Sequence, residues 1–347
     1  MKQLYQQKVV QYILQNDCKL KFIKSDRVDP YYNLALEEYL LNNIKENEVI
    51  LYLWQNQSTV VIGKNQNPWK ECIISNLKED EIKIARRLSG GGAVFHDLGN
   101  LNFTFLMREE LYNLEKQLQV ILQAVKDIGI KAEFTGRNDI TIENKKFSGN
   151  AFYFDNDKAY HHGTLLVNSD LNKLNKYLKV SKEKIESKGI DSIRSRVVNL
   201  SDIIESITLE KVIHSIKKSF SKVYDGKIEQ LQLSLEKDEV EQLVKRYSSW
   251  KWIFGESPNF NVNFTKRFSF GEIDIGFILK DSKVYKVNIY SDFMNVKLIE
   301  KIKDSLKGIN LHIDEIKNKL DDVHGNKEEE IMINCIKVWL QDKVKNM

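Results

Sequence analysis

The segment Arg86 to Phe105, RRLSGGGAVFHDLGNLNFTF, concentrates groups suited to holding an anion. Gly90, Gly91 and Gly92 follow Ser89 and let the backbone take φ > 0 and lie flush against a ligand. Such a turn can aim several N–H groups at one point, a cradle for phosphate or carboxylate oxygens. Arg86 and Arg87 add planar, permanently charged forks beside it. The spacing is neither GxxxxGK[ST] nor GxGxxG, so the segment is neither a P-loop nor a dinucleotide fingerprint. A plain tight turn between strands is the competing reading.

Gly136 to Phe154, GRNDITIENKKFSGNAFYF, is the second segment. Asn138-Asp139 ahead of a strand suits a hydrated Mg²⁺ or a ribose, because a carboxylate is a hard oxygen ligand that tolerates water-rich coordination. Lys146 opens a return strand, where an ammonium pointing into a cleft would neutralise a phosphate and polarise a carbonyl. Such a pair at about 4 Å is worth on the order of 4 kcal/mol at an effective dielectric near 20. Lys145 reads as an exposed neighbour. In HHGTLLVNSDL, His161 to Leu171, two adjacent histidines precede a strand. Neighbours on a strand point to opposite faces, so the pair is ill suited to share a metal, and hydrogen-bonded structural roles come first. Half of the 16 glycines and three of the six histidines lie between residues 90 and 163, which marks that window for function.

Several elements must carry these groups. Asp29-Pro30 reads as an N-cap and first turn of a helix through Leu41, with Leu34, Leu36, Tyr39 and Leu40 supplying most of its apolar face. Val49 to Trp54 and Thr59 to Ile62 read as strands around the polar turn Gln55 to Ser58, and Leu101 to Leu106 as another. Leu111 to Ile128 has a helical pattern stopped by Gly129. Asp139 to Ile142 and Lys146 to Phe154 form a hairpin pattern turning at Glu143-Asn144, and Gly163 to Val167 adds a strand. Helical patterns dominate from Leu171 to Tyr247, and Phe254 to Asn259 reads as a linker. Phe268 to Leu279 and Val284 to Tyr290 read as a hairpin, with helices after it. Strands and helices are interspersed without a βαβ rhythm, which predicts α+β.

The chain has 347 residues, enough for two domains, with 53 basic against 49 acidic residues. That near balance does not suit a nucleic-acid or membrane binder. Lys173 to Lys188 holds six Lys against two Glu and reads as a solvated helix face. Cys18, Cys72 and Cys335 are scattered and include no CxxC, so neither a disulfide framework nor a zinc site is expected. No apolar run is long enough for a membrane span, and residues 1–19 lack the apolar core of a signal peptide. A cytoplasmic protein is expected.

The motifs RRLSGGGAVFHDLGN, GRNDITI, KKFSGNA, HHGTLLVNSDL and KGIDSIRSRVVNL resemble the lipoate–protein ligase family, in the same order and with similar spacing. DPYYNLALEEYLL, LWQNQSTVVIGKNQNPWKE and KWIFGESPNF resemble it too. The resemblance runs from about residue 21 to the C-terminus. It implies an α+β, biotin/lipoate ligase-like fold: a large domain with a mixed, mainly antiparallel sheet and flanking helices, and a small α/β C-terminal accessory domain. The implied divisions are an extension over 1–20, a catalytic domain over 21–255 and the accessory domain over 262–347.

The resemblance further implies an ATP- and Mg²⁺-dependent enzyme. It would activate lipoate to lipoyl-AMP with release of pyrophosphate and pass the acyl group to a lysine of an acceptor. The acceptors would be apo lipoyl domains of 2-oxo acid dehydrogenase acyltransferase subunits or the glycine cleavage H protein. By resemblance, Arg87, Ser89, Gly90, Gly91, Gly92, Ala93, Val94 and Phe95 contact the adenylate, and Lys146 is the catalytic lysine. Asn138 and Asp139 face the α-phosphate, Asp139 also its Mg²⁺, and His162, Gly163, Thr164 and Leu165 line the lipoyl pocket. Related octanoyl and lipoyl transferases use a cysteine nucleophile, and Cys72 lies where the ligase pattern itself carries one. A non-catalytic lipoate-binding homologue would be expected to lose Lys146 or the Arg87 loop, and neither is lost.

Overall fold

The computed structural model describes residues 18–135, 138–179, 197–232, 237–254, 262–280 and 283–345. Expectations for residues 1–17, Gly136, much of the Lys173 to Lys188 run, most of the KGIDSIRSRVVNL motif and the Gly255 to Asn259 linker lie outside them. The described parts of Met1–Val61, Glu71–Ala85 and Val94–Ser249 make one compact unit. Those of Ile62–Lys70, Arg86–Ala93 and Trp250–Met347 make a second.

The first unit is built on an eight-stranded sheet in the order β11-β1-β2-β6-β10-β9-β8-β7. Its strands are β1 (Lys19–Lys24), β2 (Glu48–Trp54), β6 (Asn100–Arg108), β7 (Glu133–Thr135), β8 (Asp139–Ile142), β9 (Lys145–Asp155), β10 (Lys158–Leu166) and β11 (Ile228–Gln230). β1 pairs in parallel with β2 and β11, and the other pairings are antiparallel. This is the expected mixed, mainly antiparallel sheet. β3 (Thr59–Ile62), β4 (Lys83–Arg86) and β5 (Val94–His96) form a small sheet in the order β4-β3-β5.

Alternation divides the large sheet into two faces. One face carries Leu101, Phe103, Phe105, Met107, Ile140 and Leu165 into an apolar core with the helices α2 (Leu114–Asp127) and α3 (Leu209–Tyr224). Ser215 and Ser219 on α3 donate to the carbonyls of Ala124 and Val120 on α2 at 2.7 and 2.8 Å, small side chains that let the two helices lie close. α2 begins at Leu114 rather than Leu111, because Asn113 caps it by accepting from the Lys116 N–H at 2.9 Å. Gly129 ends it with φ of 94°.

Helix α1 (Pro30–Asn42) starts as expected, with Asp29 accepting from the N–H groups of Tyr31 and Tyr32 and Pro30 in the first turn. Leu34, Leu36 and Leu40 are buried, whereas Tyr39 is only half-buried. The buried surface also includes Asn33 and Glu37, which the apolar pattern does not foresee. β10 begins five residues before the expected Gly163, so His161 and His162 lie within the strand. β11 interrupts the stretch read as helical.

The second unit holds an antiparallel meander of β12 (Val262–Phe268), β13 (Gly271–Lys280) and β14 (Lys283–Ser291). The expected strand from Phe268 to Leu279 is β13, which begins at Gly271 with φ of 151°, while Phe268 closes β12 and pairs with Gly271 across the turn. Ile273, Ile275, Phe277, Val287 and Ile289 form a separate core with α4 (Val296–Ser305), α5 (Ile313–Asp321) and α6 (Lys327–Lys345). The alternate residues Asp274 and Asn288 are polar yet buried. Asp274 pairs with Lys70 and accepts from the Thr265 hydroxyl at 2.8 Å, and Ser291 donates its N–H to the Asn65 carbonyl at 2.9 Å.

Candidate active site

Lys146 and Asp139 meet across the β8–β9 hairpin. Glu143 and Asn144 both take positive φ, 49° and 64°, which gives the tight turn a twist matched to its strands. Register runs Ile142↔Lys145 and Thr141↔Lys146, then shifts to Ile140↔Ser148 and Asp139↔Gly149. Phe147 is the extra residue of this bulge and is buried with Ile140 and Ile142. In an unbroken strand, residues 146 and 149 would face opposite sides. The bulge changes the parity, so Lys146 arches over Gly149 on the face that also carries Asp139.

The Lys146 Nζ lies 2.7 Å from Asp139 Oδ1, with each side chain roughly a third exposed. A Cβ on Gly149 would sit 2.9 Å from that Nζ, and the glycine thus leaves the lysine its channel. The strand is anchored at the same point, where Val198 donates its N–H to the Lys146 carbonyl at 3.0 Å. Lys145 on the other side of the strand is exposed, as expected.

The same sheet face continues through Thr164 and His162. Thr164 Oγ1 accepts from the Gly149 N–H at 3.2 Å. His162 Nδ1 lies 2.9 Å from Glu37 Oε1, which also accepts from the Thr104 hydroxyl at 2.7 Å, and Thr104 in turn accepts from the Trp54 indole N–H at 3.0 Å. This buried polar and aromatic floor is carried by α1, β2, β6 and β10. Sequence reasoning missed Glu37, Trp54 and Thr104. The available signal was a carboxylate at the buried position three residues from both Leu34 and Leu40 in α1.

Gly163 and Leu165 lie on the opposite face. Leu165 is fully buried in the apolar core, and a Cβ on Gly163 would run into Phe103 at 2.5 Å. Of the four residues expected along an acyl pocket, the structure brings His162 and Thr164 to the face of Lys146 and turns Gly163 and Leu165 away. His161 also faces the core, with Nε2 2.9 Å from Asn150 Oδ1 and Nδ1 3.0 Å from Gln117 Oε1. Burial pushes its imidazole down to about 3, so the ring is neutral. The two histidines do diverge, and among the described residues no group of three His, Cys, Asp or Glu is arranged to hold a metal.

The glycine loop belongs to the second unit. Arg87 is buried and spends its guanidinium on the loop, donating to Ser89 Oγ at 3.0 Å and to the carbonyls of Gly90 and Gly92 at 2.6 and 2.9 Å. Arg86 is buried too, and donates to the carbonyls of Gly63, Lys64, Gln66, Trp252 and Ile253. It is a structural clamp, not the second anion fork expected from its position. Gly91 takes φ of 88°, and a Cβ on Gly90 would lie 2.3 Å from the Phe293 carbonyl oxygen, so both glycines are sterically required. Gly92 is exposed with open space around its Cα, and Ala93 and Val94 are half-buried. Phe95 is buried against Tyr177, ring centroids 5.2 Å apart.

Cys72 is fully buried, Cys18 partly and Cys335 exposed. No helix among the described residues is long and apolar enough to cross a membrane.

The family model of the lipoyl protein ligase A/B catalytic domain matches residues 29–221, and that of the bacterial lipoate protein ligase C-terminus matches 257–340. A lipoate-protein ligase A of Bdellovibrio bacteriovorus is 38% identical over 331 residues, covering 93% of this chain and 98% of the relative. P. falciparum LipL1, solved in complex with lipoate, is 32% identical with a TM-score of 0.82, covering 93% and 99% of the two chains. A bi-partite lipoate protein ligase from Thermoplasma acidophilum, studied with its E2 lipoyl domain, is 26% identical with a TM-score of 0.62, covering 71% and 99%. With one match spanning more than half of the chain and a relative matched almost end to end, the chain belongs to the lipoate–protein ligase family.

Proposed function

We propose that this protein activates lipoate with ATP and transfers the lipoyl group to a lysine of an apo lipoyl domain. The observation that carries the reading is the Lys146 ammonium, 2.7 Å from Asp139 and arched over Gly149 on the polar face of the sheet. The names of its relatives, and the lipoate bound to P. falciparum LipL1, agree with it.

In the first step a carboxylate oxygen of lipoate attacks the α-phosphorus of ATP, the bond to the β-phosphate oxygen breaks, and pyrophosphate leaves. Two anions must approach each other, and Lys146 lowers that barrier by offsetting the charge that develops between them. In the second step the acceptor amine attacks the carbonyl carbon of the mixed anhydride. AMP leaves, and the amine proton goes to solvent. Water would hydrolyse the anhydride, so the adenylate must be shielded until the acceptor arrives.

Residue roles follow from this reading. Lys146 is the catalytic residue, with Asn138 and Asp139 at the α-phosphate. Arg87, Ser89, Gly90, Gly91, Gly92, Ala93, Val94 and Phe95 form the adenylate-binding segment. His162 and Thr164 border the lipoyl pocket, with Glu37 and Thr104 buried behind His162 and hydrogen-bonded to hold it. Asp139 is a single carboxylate, which suits Mg²⁺ held largely by water and nucleotide oxygens. There Mg²⁺ would neutralise phosphate charge. The catalytic domain spans about 21–255 and the accessory domain 262–347. The acceptors are lipoyl domains of 2-oxo acid dehydrogenase acyltransferase subunits or the glycine cleavage H protein, and the compartment is the cytoplasm. The relative studied with an E2 lipoyl domain supports this acceptor class.

A cysteine-dependent transfer would need Cys72, whose side chain is fully buried in the structure. The deciding experiment incubates the protein with apo lipoyl domain and lipoate, with and without ATP–Mg²⁺. Mass gain on the acceptor that requires ATP, with pyrophosphate released, is the expected result. Acyl thioester trapped on Cys72, or ATP-independent gain from an acylated carrier, would replace the ligase reading with the transferase one.

A further inference from the structure

The buried ring of His161 lies on the far side of the sheet from Lys146, yet hydrogen bonds run from it to Asn138, the sequence neighbour of Asp139, which pairs with Lys146. Asn150 links them. Its backbone N–H and its side-chain Nδ2 both donate to the Asn138 carbonyl, at 2.8 and 3.0 Å. With Nδ2 so engaged, Asn150 can turn only Oδ1 toward His161, 2.9 Å from the ring Nε2. A neutral imidazole carries one N–H, and Oδ1 can only accept, so that proton sits on Nε2. Nδ1 must then accept, which requires the Gln117 amide, placed with Oε1 3.0 Å from Nδ1 and Nε2 3.1 Å from the Met107 sulfur, to be turned end for end, an exchange of O and N that leaves its shape unchanged. Phe103, Phe105 and Phe152 surround the ring at centroid distances of 5.4, 5.9 and 5.0 Å and fix its plane.

The chain therefore runs Gln117, His161, Asn150, Asn138, and Asn138 is followed in sequence by Asp139, the partner of Lys146. We infer that His161 is a positioning residue: its Nε2–H holds the Asn150 amide, which clamps the Asn138 carbonyl and thereby sets the Asp139 carboxylate against the Lys146 ammonium. This inference rests on the adenylation reading of Lys146. The effect of the ring should fall on adenylate formation rather than on lipoate affinity, because His162, Glu37 and Thr104 are untouched.

The test is a double-mutant cycle on the full chain, reading pyrophosphate release with lipoate and ATP–Mg²⁺. His161→Leu is expected to lower kcat at least tenfold with the KM for lipoate within twofold of wild type. His161→Gln, which can still donate to Asn150 and accept from Gln117, should recover most of that loss. In an Asp139→Asn background, His161→Leu should cost less than threefold, since the group it positions is already altered. Asn150→Ala leaves the imidazole in place and should reproduce the whole pattern, which carries the test if His161→Leu does not fold. Full additivity with Asp139→Asn, no rescue by glutamine, or a loss appearing only in KM would each overturn the positioning role. Lys146→Ala measured alongside separates the two levels. Wild-type pyrophosphate release in that variant removes the reading of Lys146 and this inference with it, whereas loss there with an additive cycle removes only the role of His161.

Discussion

The two faces of the eight-stranded sheet are made by alternate residues of the same strands, yet they are built for different purposes. On β10, His161, Gly163 and Leu165 join Phe103, Phe105 and the helices α2 and α3 in an apolar core. His162 and Thr164 face the other way, toward Glu37, Thr104, Gly149 and Lys146. A one-residue slip of β10 would exchange the two sets. The apolar face thus fixes the register, and the polar face receives its geometry from it. Substitutions on the core face should be read first in stability, and those on the polar face first in catalysis, His161 excepted because Asn150 and the Asn138 carbonyl carry its position to Asp139.

The largest expected effect lies on the core face. Phe103 is fully buried beneath Gly163 and His161, and Phe103→Ala should cost about 3–5 kcal/mol in chemical denaturation. Pyrophosphate release per folded molecule should stay within a few-fold of wild type, because Phe105 and Phe152 and the hydrogen bond to Asn150 still hold the His161 ring. Unchanged stability with lost activity would erase the distinction between the faces. Lys146→Ala is the converse. Its ion pair is a third exposed and contributes little to folding, so the denaturation midpoint should hardly move. Adenylate formation should fall about 10²–10³-fold, the usual effect of deleting a group that stabilises developing charge.

Next comes the acid limb of stability. The usual histidine value is 6.5, and burial lowers that of His161 to about 3 in the folded protein. Below pH 6.5 the unfolded chain takes up a proton at this position, whereas the folded chain does not until near pH 3. Stability contributed by the neutral ring is therefore lost as pH falls through that window, by about 1.4 kcal/mol per pH unit. His161→Gln should flatten this part of a stability-versus-pH curve. An unchanged acid limb would mean that the ring is hydrated in the native state.

Much of this arrangement was legible in the sequence wherever a local rule governs the outcome. Asp29-Pro30 marks a helix start, Glu143-Asn144 marks a hairpin turn, and adjacent histidines on a strand must diverge. The motif resemblance led to the right family. Features decided by tertiary pairing were not legible. The bulge at Phe147 depends on the register of β9 against β8, and without it the parity of Lys146 cannot be assigned. The resemblance puts Gly163 and Leu165 in the lipoyl pocket with His162, but strand alternation separates them. Arg86 looks like a second anion fork until five carbonyls are found around it. Glu37 lies in a helix otherwise read for its leucines, and its role emerges only when β6 and β10 bring Thr104 and His162 to it.

The smallest effect gives the sharpest contrast, since it compares one substitution on the two faces. Gly149 and Gly163 sit near each other on the paired strands β9 and β10, and neither needs a positive φ. On the core side, a Cβ at Gly163 would lie 2.5 Å from the Phe103 ring and 2.8 Å from the Gly149 carbonyl, a backbone atom that cannot move alone. Gly163→Ala should therefore cost about 1–3 kcal/mol of stability through overpacking. On the polar side, a Cβ at Gly149 would crowd the end of Lys146, at 2.9 and 3.0 Å from Nζ and Cε, and meet Thr164 Oγ1 at an ordinary 3.8 Å. A flexible side chain can swing away, and alanine loses less entropy on folding than glycine, so Gly149→Ala should leave stability unchanged or raise it by about 0.5 kcal/mol. The displaced ammonium no longer meets the reacting phosphate where it is needed, and kcat for pyrophosphate release should fall about tenfold. A Gly149→Ala protein that is destabilised but catalytically intact would show that the glycine serves packing, and that Lys146 reaches its position without the channel.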